Sequence, residues 1–330
     1  MKRAYNKHSY SGKKVNAKRS RAAFLRHHGT ATTRSQIWRK TDNNVQPKQS
    51  LPDSNVNFYK IEHSKMLEVC VDSLQSAINA IHGGADELEI CSSLNEGGLT
   101  PSVGLVKKIK HIVNNIPMKK PIYKTCVESC SCLKLLQKPN LNIMIRCRTG
   151  SDFCYTDEEV DTMLEDIEVF KEIGVDRFVF GALTNTLKVD EENCVKVLNL
   201  ATPIPVTFHR AIDICQDYIS SVNTIIELGF NRVLTSGQKA MAADTDALNM
   251  IKLLVEMYGD KIEVMPGAGV NGDNAKIFID LGCKIVHSSC KNIRYLCKLE
   301  NNLNMGTSDS EFIYVSDENI VRMIKTVINS

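Results

Sequence analysis

No stretch of this 330-residue chain approaches the ~18 consecutive apolar residues of a membrane span. The basic start is followed by no apolar core of the kind a secretory leader carries, so neither membrane insertion nor export is expected. Cys-x-x-Cys pairs and His-rich spacings are both missing, which disfavours zinc. Acid is nearly absent from residues 1–60, where 14 Lys and Arg face only Asp42 and Asp53. Apolar residues there are sparse and unperiodic, so burial cannot offset the entropy of ordering. A disordered basic tail over residues 1–64 is the expectation. Lys13-Lys14 and Lys18-Arg19-Ser20-Arg21 read as a nuclear address, a weak nucleic-acid contact or a solvated run. Arg and Ser without acid also fit a mitochondrial presequence, although Ala22-Ala23-Phe24-Leu25 is a thin apolar face for one. The remaining 27 basic and 36 acidic residues leave the rest of the chain net negative. Nucleic-acid binding by that part is not expected, because it rests on phosphate neutralisation.

What is present is a chain 43% hydrophobic with 12 cysteines. Without an export signal these read as thiols of a reducing compartment, the cytosol or the nucleus. From residue 65 one pattern recurs: a helix, a glycine, an apolar residue, a polar residue and a short β-rich run. Gly84-Ala85-Asp86 precedes Glu87–Cys91, and Gly174-Val175-Asp176 precedes Arg177–Gly181. Gly229-Phe230-Asn231 precedes Arg232–Ser236, and Gly282-Cys283-Lys284 precedes Ile285–Ser288. Glycine after a helix takes the left-handed conformation that stops it. Filling the gaps gives strands at 66–71, 87–91, 142–146, 178–181, 206–210, 232–235, 262–265 and 284–287. Between them lie helical patterns, among them a capping box at Thr156–Glu159 and plausible N-caps at Asp72 and Asn271. Eight strands each followed by a helix predict a (β/α)8 TIM barrel over residues 65–330. A doubly wound open sheet is the alternative, but it wants a Gly-rich first turn that the chain lacks.

The strand Val206-Thr-Phe-His-Arg210 is apolar on one face and polar on the other. That suits a barrel strand, whose outer face meets helices and whose inner face meets a shared centre. The same alternation turns Glu68, Cys70 and Asp72 inward from strand one, and Glu89 and Cys91 from strand two. Arg146, with Arg148 beyond it, comes from strand three, and Thr207 and His209 from strand five. Glu68, Cys70, Glu89, Cys91, Arg146 and His209 are therefore expected around one central hollow, near the strand C-termini where barrels keep their chemistry. A structural salt-bridge plug is the plainer alternative.

Several ordered motifs resemble one family. They are Leu67-Glu-Val-Cys-Val-Asp72, Glu89-Ile-Cys91 with Glu96-Gly-Gly-Leu-Thr-Pro-Ser102, Val206-Thr-Phe-His-Arg-Ala-Ile-Asp213, Arg232-Val-Leu-Thr-Ser-Gly237 and Val264-Met-Pro-Gly-Ala-Gly-Val270. Together they make the chain similar to CutC copper homeostasis proteins from about residue 65 to 328. The resemblance implies a TIM barrel, usually a homo-oligomer, cytosolic or nuclear in animals and associated with copper tolerance. The family's Cu(I)-binding cysteines map onto Cys70 and Cys91. The chain departs from the family at an insertion over 118–141, which carries Cys126, Cys130 and Cys132. It departs again at Arg146-Cys-Arg-Thr-Gly-Ser-Asp-Phe153, where Cys147 stands for a proline and the turn is longer, leaving Arg148 and Asp152 open.

Copper as a partner is chemically reasonable, since Cu(I) prefers thiolate sulfur. Alternation puts Cys70 and Cys91 at equivalent levels on adjacent strands, which lie about 4.8 Å apart. The alternative is a pair of buried free thiols acting as small apolar groups. A different class of function is an enzyme acting on a small phosphorylated or carboxylated molecule. Gly267, Gly269 and Ser288 would hold its anion in the loops after strands seven and eight. Glu68, Glu89 and His209 would serve as acid and base, with Arg146 and Arg210 on the anionic ligand. A scaffold working through the basic tail is a third reading.

Overall fold

The structure is a computed structural model that describes residues 64–115, 138–296 and 311–330. The expected disordered tail, except residue 64, and most of the 118–141 insertion with its cysteine cluster lie outside the described residues. Eight parallel strands form a nearly closed barrel. They are β1 (Met66–Val71), β2 (Glu87–Ile90), β3 (Asn140–Met144), β4 (Arg177–Phe180), β5 (Val206–Phe208), β6 (Arg232–Thr235), β7 (Glu263–Pro266) and β8 (Ile285–Ser288). They lie in the order β7-β6-β5-β4-β3-β2-β1-β8, and β7 comes beside β8. Helices α1 (Leu74–Gly83), α2 (Val103–Asn114), α3 (Asp157–Ile173), α4 (Glu191–Ala201), α5 (Tyr218–Leu228), α6 (Thr245–Tyr258) and α7 (Ala275–Asp280) follow the strands in turn. A last helix, α8 (Glu318–Ile328), covers β1. The (β/α)8 barrel expected from the repeated joints is the observed architecture. No helix among the described residues is long and apolar enough to cross a membrane.

The joints work as their sequence implies. Gly84, Gly174, Gly229 and Gly282 all have φ between 78° and 101°, the left-handed region where a Cβ would be strained. The polar residue two places on then ties the incoming strand to its neighbour. Asp86 accepts from the amide of Leu67 at 2.7 Å, and Asp176 from that of Leu141 at 2.8 Å. Outward residues such as Leu67, Val69, Leu88, Ile143, Phe178, Phe208 and Val264 join the helices in one fully buried core. The capping box at the start of α3 is present in both directions, between Thr156 and Glu159.

Two expected caps are not used. Ser73 rather than Asp72 caps α1, its hydroxyl accepting from the amide of Ser76. Asp72 instead accepts from the amide of Leu94 at 3.2 Å, tying the loop after β2 to the end of β1. Asn271 lies three residues short of the α7 cap at Asn274, and its side-chain oxygen accepts locally from Asp273. The alternation gave no sign of a hairpin, β9 (Lys291–Tyr295) with β10 (Phe312–Ser316), inserted between β8 and α8.

Candidate functional site

The barrel interior holds two polar tiers. In the lower one Arg232, at the start of β6, donates to both carboxylate oxygens of Glu87, at 2.6 and 3.1 Å, and to Glu263 at 2.5 Å. Glu68 lies 3.7 Å from the same guanidinium. The Asn142 amide donates to Glu68 at 2.5 Å and to Glu87 at 2.6 Å. Burial pushes the Glu68 carboxyl up, but His287, Arg232 and Asn142 outweigh it and hold the group at about 2. Glu68 is thus the foundation of the site rather than part of its wall.

Above this tier opens a cavity of about 1100 Å³, lined by Cys70, Glu89, Arg146, His209, Arg210 and His287 among others. Parallel pairing sets Cys70 opposite Glu89 and Glu68 opposite His287. One donor atom each from Cys70, Glu89 and His287 therefore falls within 4.8 Å of the other two, and all three residues are buried. His287 Nδ1 is 2.7 Å from Glu68, and its Nε2 is 3.8 Å from Glu89. Burial opposes a charged ring, yet Cys70, Glu89 and Glu68 together keep His287 well above its ordinary value. Burial likewise lifts the Glu89 carboxyl to about 7 against the pull of His287, and raises both thiols.

Of the six residues expected around one hollow, Cys70, Glu89, Arg146 and His209 line it. Cys91 is fully buried behind Glu89, its sulfur 3.5 Å from the Glu89 carboxylate and packed on Met144 and Val179. It is not level with Cys70. The β1–β2 ladder pairs Cys70 with Glu89, leaving Cys91 one inward position further along the strand, because barrel strands are staggered rather than flush. Arg146 donates to the carbonyls of Glu96 and Gly98, both at 3.0 Å, and of Gly150. Arg148 turns outward to Asp152 and Glu159, so it takes no part in the cavity. Arg210 reaches the rim but pairs with Asp213 at 2.9 Å.

His209 lies just past β5. Its Nδ1 accepts from the amide of Ala211 at 3.3 Å, starting a tight turn over Arg210–Ile214. In the loops expected to hold an anion, Gly269 and Ser288 line the cavity. Gly267 instead packs under Leu234, 2.6 Å from where a Cβ would stand. The Ser288 hydroxyl is committed, donating to Val270 at 2.7 Å and accepting from Cys290 at 3.1 Å. The residue that sequence reasoning passed over is His287. Alternation along Ile285-Val-His-Ser288 would have turned it inward with Ile285.

The model of the CutC family matches residues 65–292. A copper homeostasis protein cutC homolog of Caenorhabditis elegans is 38% identical over 263 residues, spanning 79% of this chain and 94% of that protein. The human protein of the same name is 39% identical over 230 residues, 69% of this chain and 74% of its own length. The crystal structure of CutC from Streptococcus agalactiae superposes with a TM-score of 0.58 at 28% identity, covering 68% of this chain and 98% of that one. The chain thus belongs to the CutC family, known by name for copper homeostasis.

Proposed function

We propose that this protein binds Cu(I) in the barrel, with Cys70 as the primary thiolate, His287 as a nitrogen donor beside it and Cys91 as the second sulfur. The observation that carries the reading is the convergence of Cys70, Glu89 and His287 within 4.8 Å. A soft monovalent ion favours sulfur and imidazole over carboxylate oxygen. On this reading Glu89 is the group that yields to Cys91, which already stands against its carboxylate at 3.5 Å. Both thiols are held protonated by burial, so binding releases protons and weakens in acid. The setting is the cytosol or the nucleus, where thiols stay reduced.

Anaerobic Cu(I) titration against a competing chelator tests this. Cys70→Ser should abolish binding, and Cys91→Ser and His287→Ala should each weaken it by about tenfold or more, in the range that loss of a ligand or its supporting partner produces. Retention of full affinity by Cys70→Ser would refute the site.

A further inference from the structure

The cavity is far larger than an ion requires, and its β3–β5 side is built of donors rather than metal ligands. Arg146 and His209 are each only 4% exposed, and both line the space. Arg148, Arg210 and Arg232 pair with carboxylates. Arg146 pairs with no carboxylate among the described residues, and it donates to the carbonyls of Glu96, Gly98 and Gly150. A guanidinium charge therefore sits in the barrel mouth with neutral partners, beside the Tyr155 hydroxyl, which burial pushes up and the Arg146 charge offsets only in part.

His209 is the second anomaly. Its Nδ1 is an acceptor for Ala211, so the proton of the neutral ring is on Nε2, and that buried Nε2 has no partner. Burial first, and the charge of Arg146 next, hold the ring neutral. The Phe153 ring packs against both groups, 4.9 Å from the imidazole centroid and 5.2 Å from the guanidinium carbon. Phe153 is held there with φ at 50°, a left-handed backbone that a bulky residue rarely adopts. An unpaired buried cation and an unpaired buried donor each cost stability. One anion relieves both.

We infer that this side of the cavity binds a small organic monocarboxylate, its oxygen accepting from His209 Nε2 and its charge balancing Arg146. The charge count selects the class. Arg210 is tied to Asp213, and Glu89, Asp72 and Glu96 also line the cavity, so a single negative charge is compensated and a phosphate dianion is not. The site stands apart from the copper reading, since neither residue belongs to the Cys70–Glu89–His287 group.

The test is a titration of the full chain, labelled with 15N in histidine, with acetate, lactate and benzoate, and with lactamide and inorganic phosphate as controls. The His209 Nε2 resonance should shift with at least one monocarboxylate, saturating around 1 mM, and should ignore lactamide. His209→Asn keeps an acceptor for Ala211 and loses the Nε2 donor. It should weaken carboxylate binding about tenfold or more, the loss of a charged hydrogen bond, and leave the Cu(I) affinity unchanged. An immobile resonance with all three carboxylates to about 10 mM would overturn the inference. So would an equal response to lactamide, an unchanged affinity in His209→Asn, or tighter binding of phosphate than of any carboxylate. The wild-type titration decides even if the variant folds poorly, and Cu(I) affinity reports separately on the copper site.

Discussion

Acid should destabilise this barrel partly through one ring. Burial, with Arg146 beside it, depresses His209 from 6.5 to about 3. In the unfolded chain the imidazole takes up its proton near 6.5, whereas the folded ring refuses it until about 3. The contribution is therefore complete above 6.5 and is lost as pH falls from there toward 3, at about 1.4 kcal/mol per pH unit. Between about pH 8 and about pH 4.5 the loss amounts to about 3 kcal/mol. Other groups overlap that window. Glu89, lifted from 4.5 to about 7, gains stability as pH falls through the same range, because its folded form binds the proton first. His287, raised, contributes below its ordinary 6.5 and loses that as pH rises through its folded value. The wild-type curve alone is thus a composite, and the comparison that isolates the ring is His209→Asn. Urea unfolding of both proteins at about pH 8 and about pH 4.5 should show the free-energy gap moving by about 3 kcal/mol in favour of the variant. A gap that stays constant with pH would mean that the folded ring protonates normally, and the neutral-donor account of His209 would fail with it.

Arg232→Met should cost about 3–5 kcal/mol in urea unfolding, the penalty of leaving buried carboxylates without their cation, since Glu87 and Glu263 both depend on that guanidinium. Gly181→Ala would place a Cβ 2.5 Å from His209 Nδ1. It should cost about 1–3 kcal/mol and remove the carboxylate-induced shift of the His209 resonance. Thr156→Ala, at a capping box remote from the cavity, should lower stability by about 1 kcal/mol with Cu(I) binding unaltered.

Much of this molecule is written in period-two alternation. That rule turned Glu68, Cys70, Glu89, Arg146 and His209 inward correctly, because a barrel strand must present one face to helices and the other to the interior. Alternation fixes which face a residue occupies, but it says nothing about rank along the barrel axis. Cys91 was expected level with Cys70, yet the ladder sets Glu89 there. Glu68 was expected on the cavity wall, yet it lies beneath. Rank depends on stagger between strands, a property of the closed sheet that no single segment contains. His287 and Arg232 escaped notice for another reason: alternation would turn His287 inward, but the partners that give either residue its place, Glu68 and Glu87, come from other strands. The antiparallel pair of β9 and β10 interrupts the βα rhythm, so a reading built on repetition passes over it.

The contrast between the two tiers separates scaffold from site. Below, the carboxylates of Glu68, Glu87 and Glu263 meet Arg232, Asn142 and His287 at hydrogen-bond or ion-pair distance, and among these only the Asn142 oxygen lacks a partner. Such closed compensation is what a fold needs in order to tolerate charge in its core. Above, Glu89 Oε1, Arg146 Nε and His209 Nε2 are all buried and unpartnered, within a space of about 1100 Å³. Had the interior charges served the fold alone, the upper tier would be as closed as the lower, or replaced by the apolar layers that commonly fill small barrels. Open valences at the mouth, set against their near closure at the base, are where the ligands proposed above would complete the upper tier. The thiol, imidazole and carboxylate on the β1–β2–β8 side and the donors on the β3–β5 side offer two different kinds of ligand a place in it.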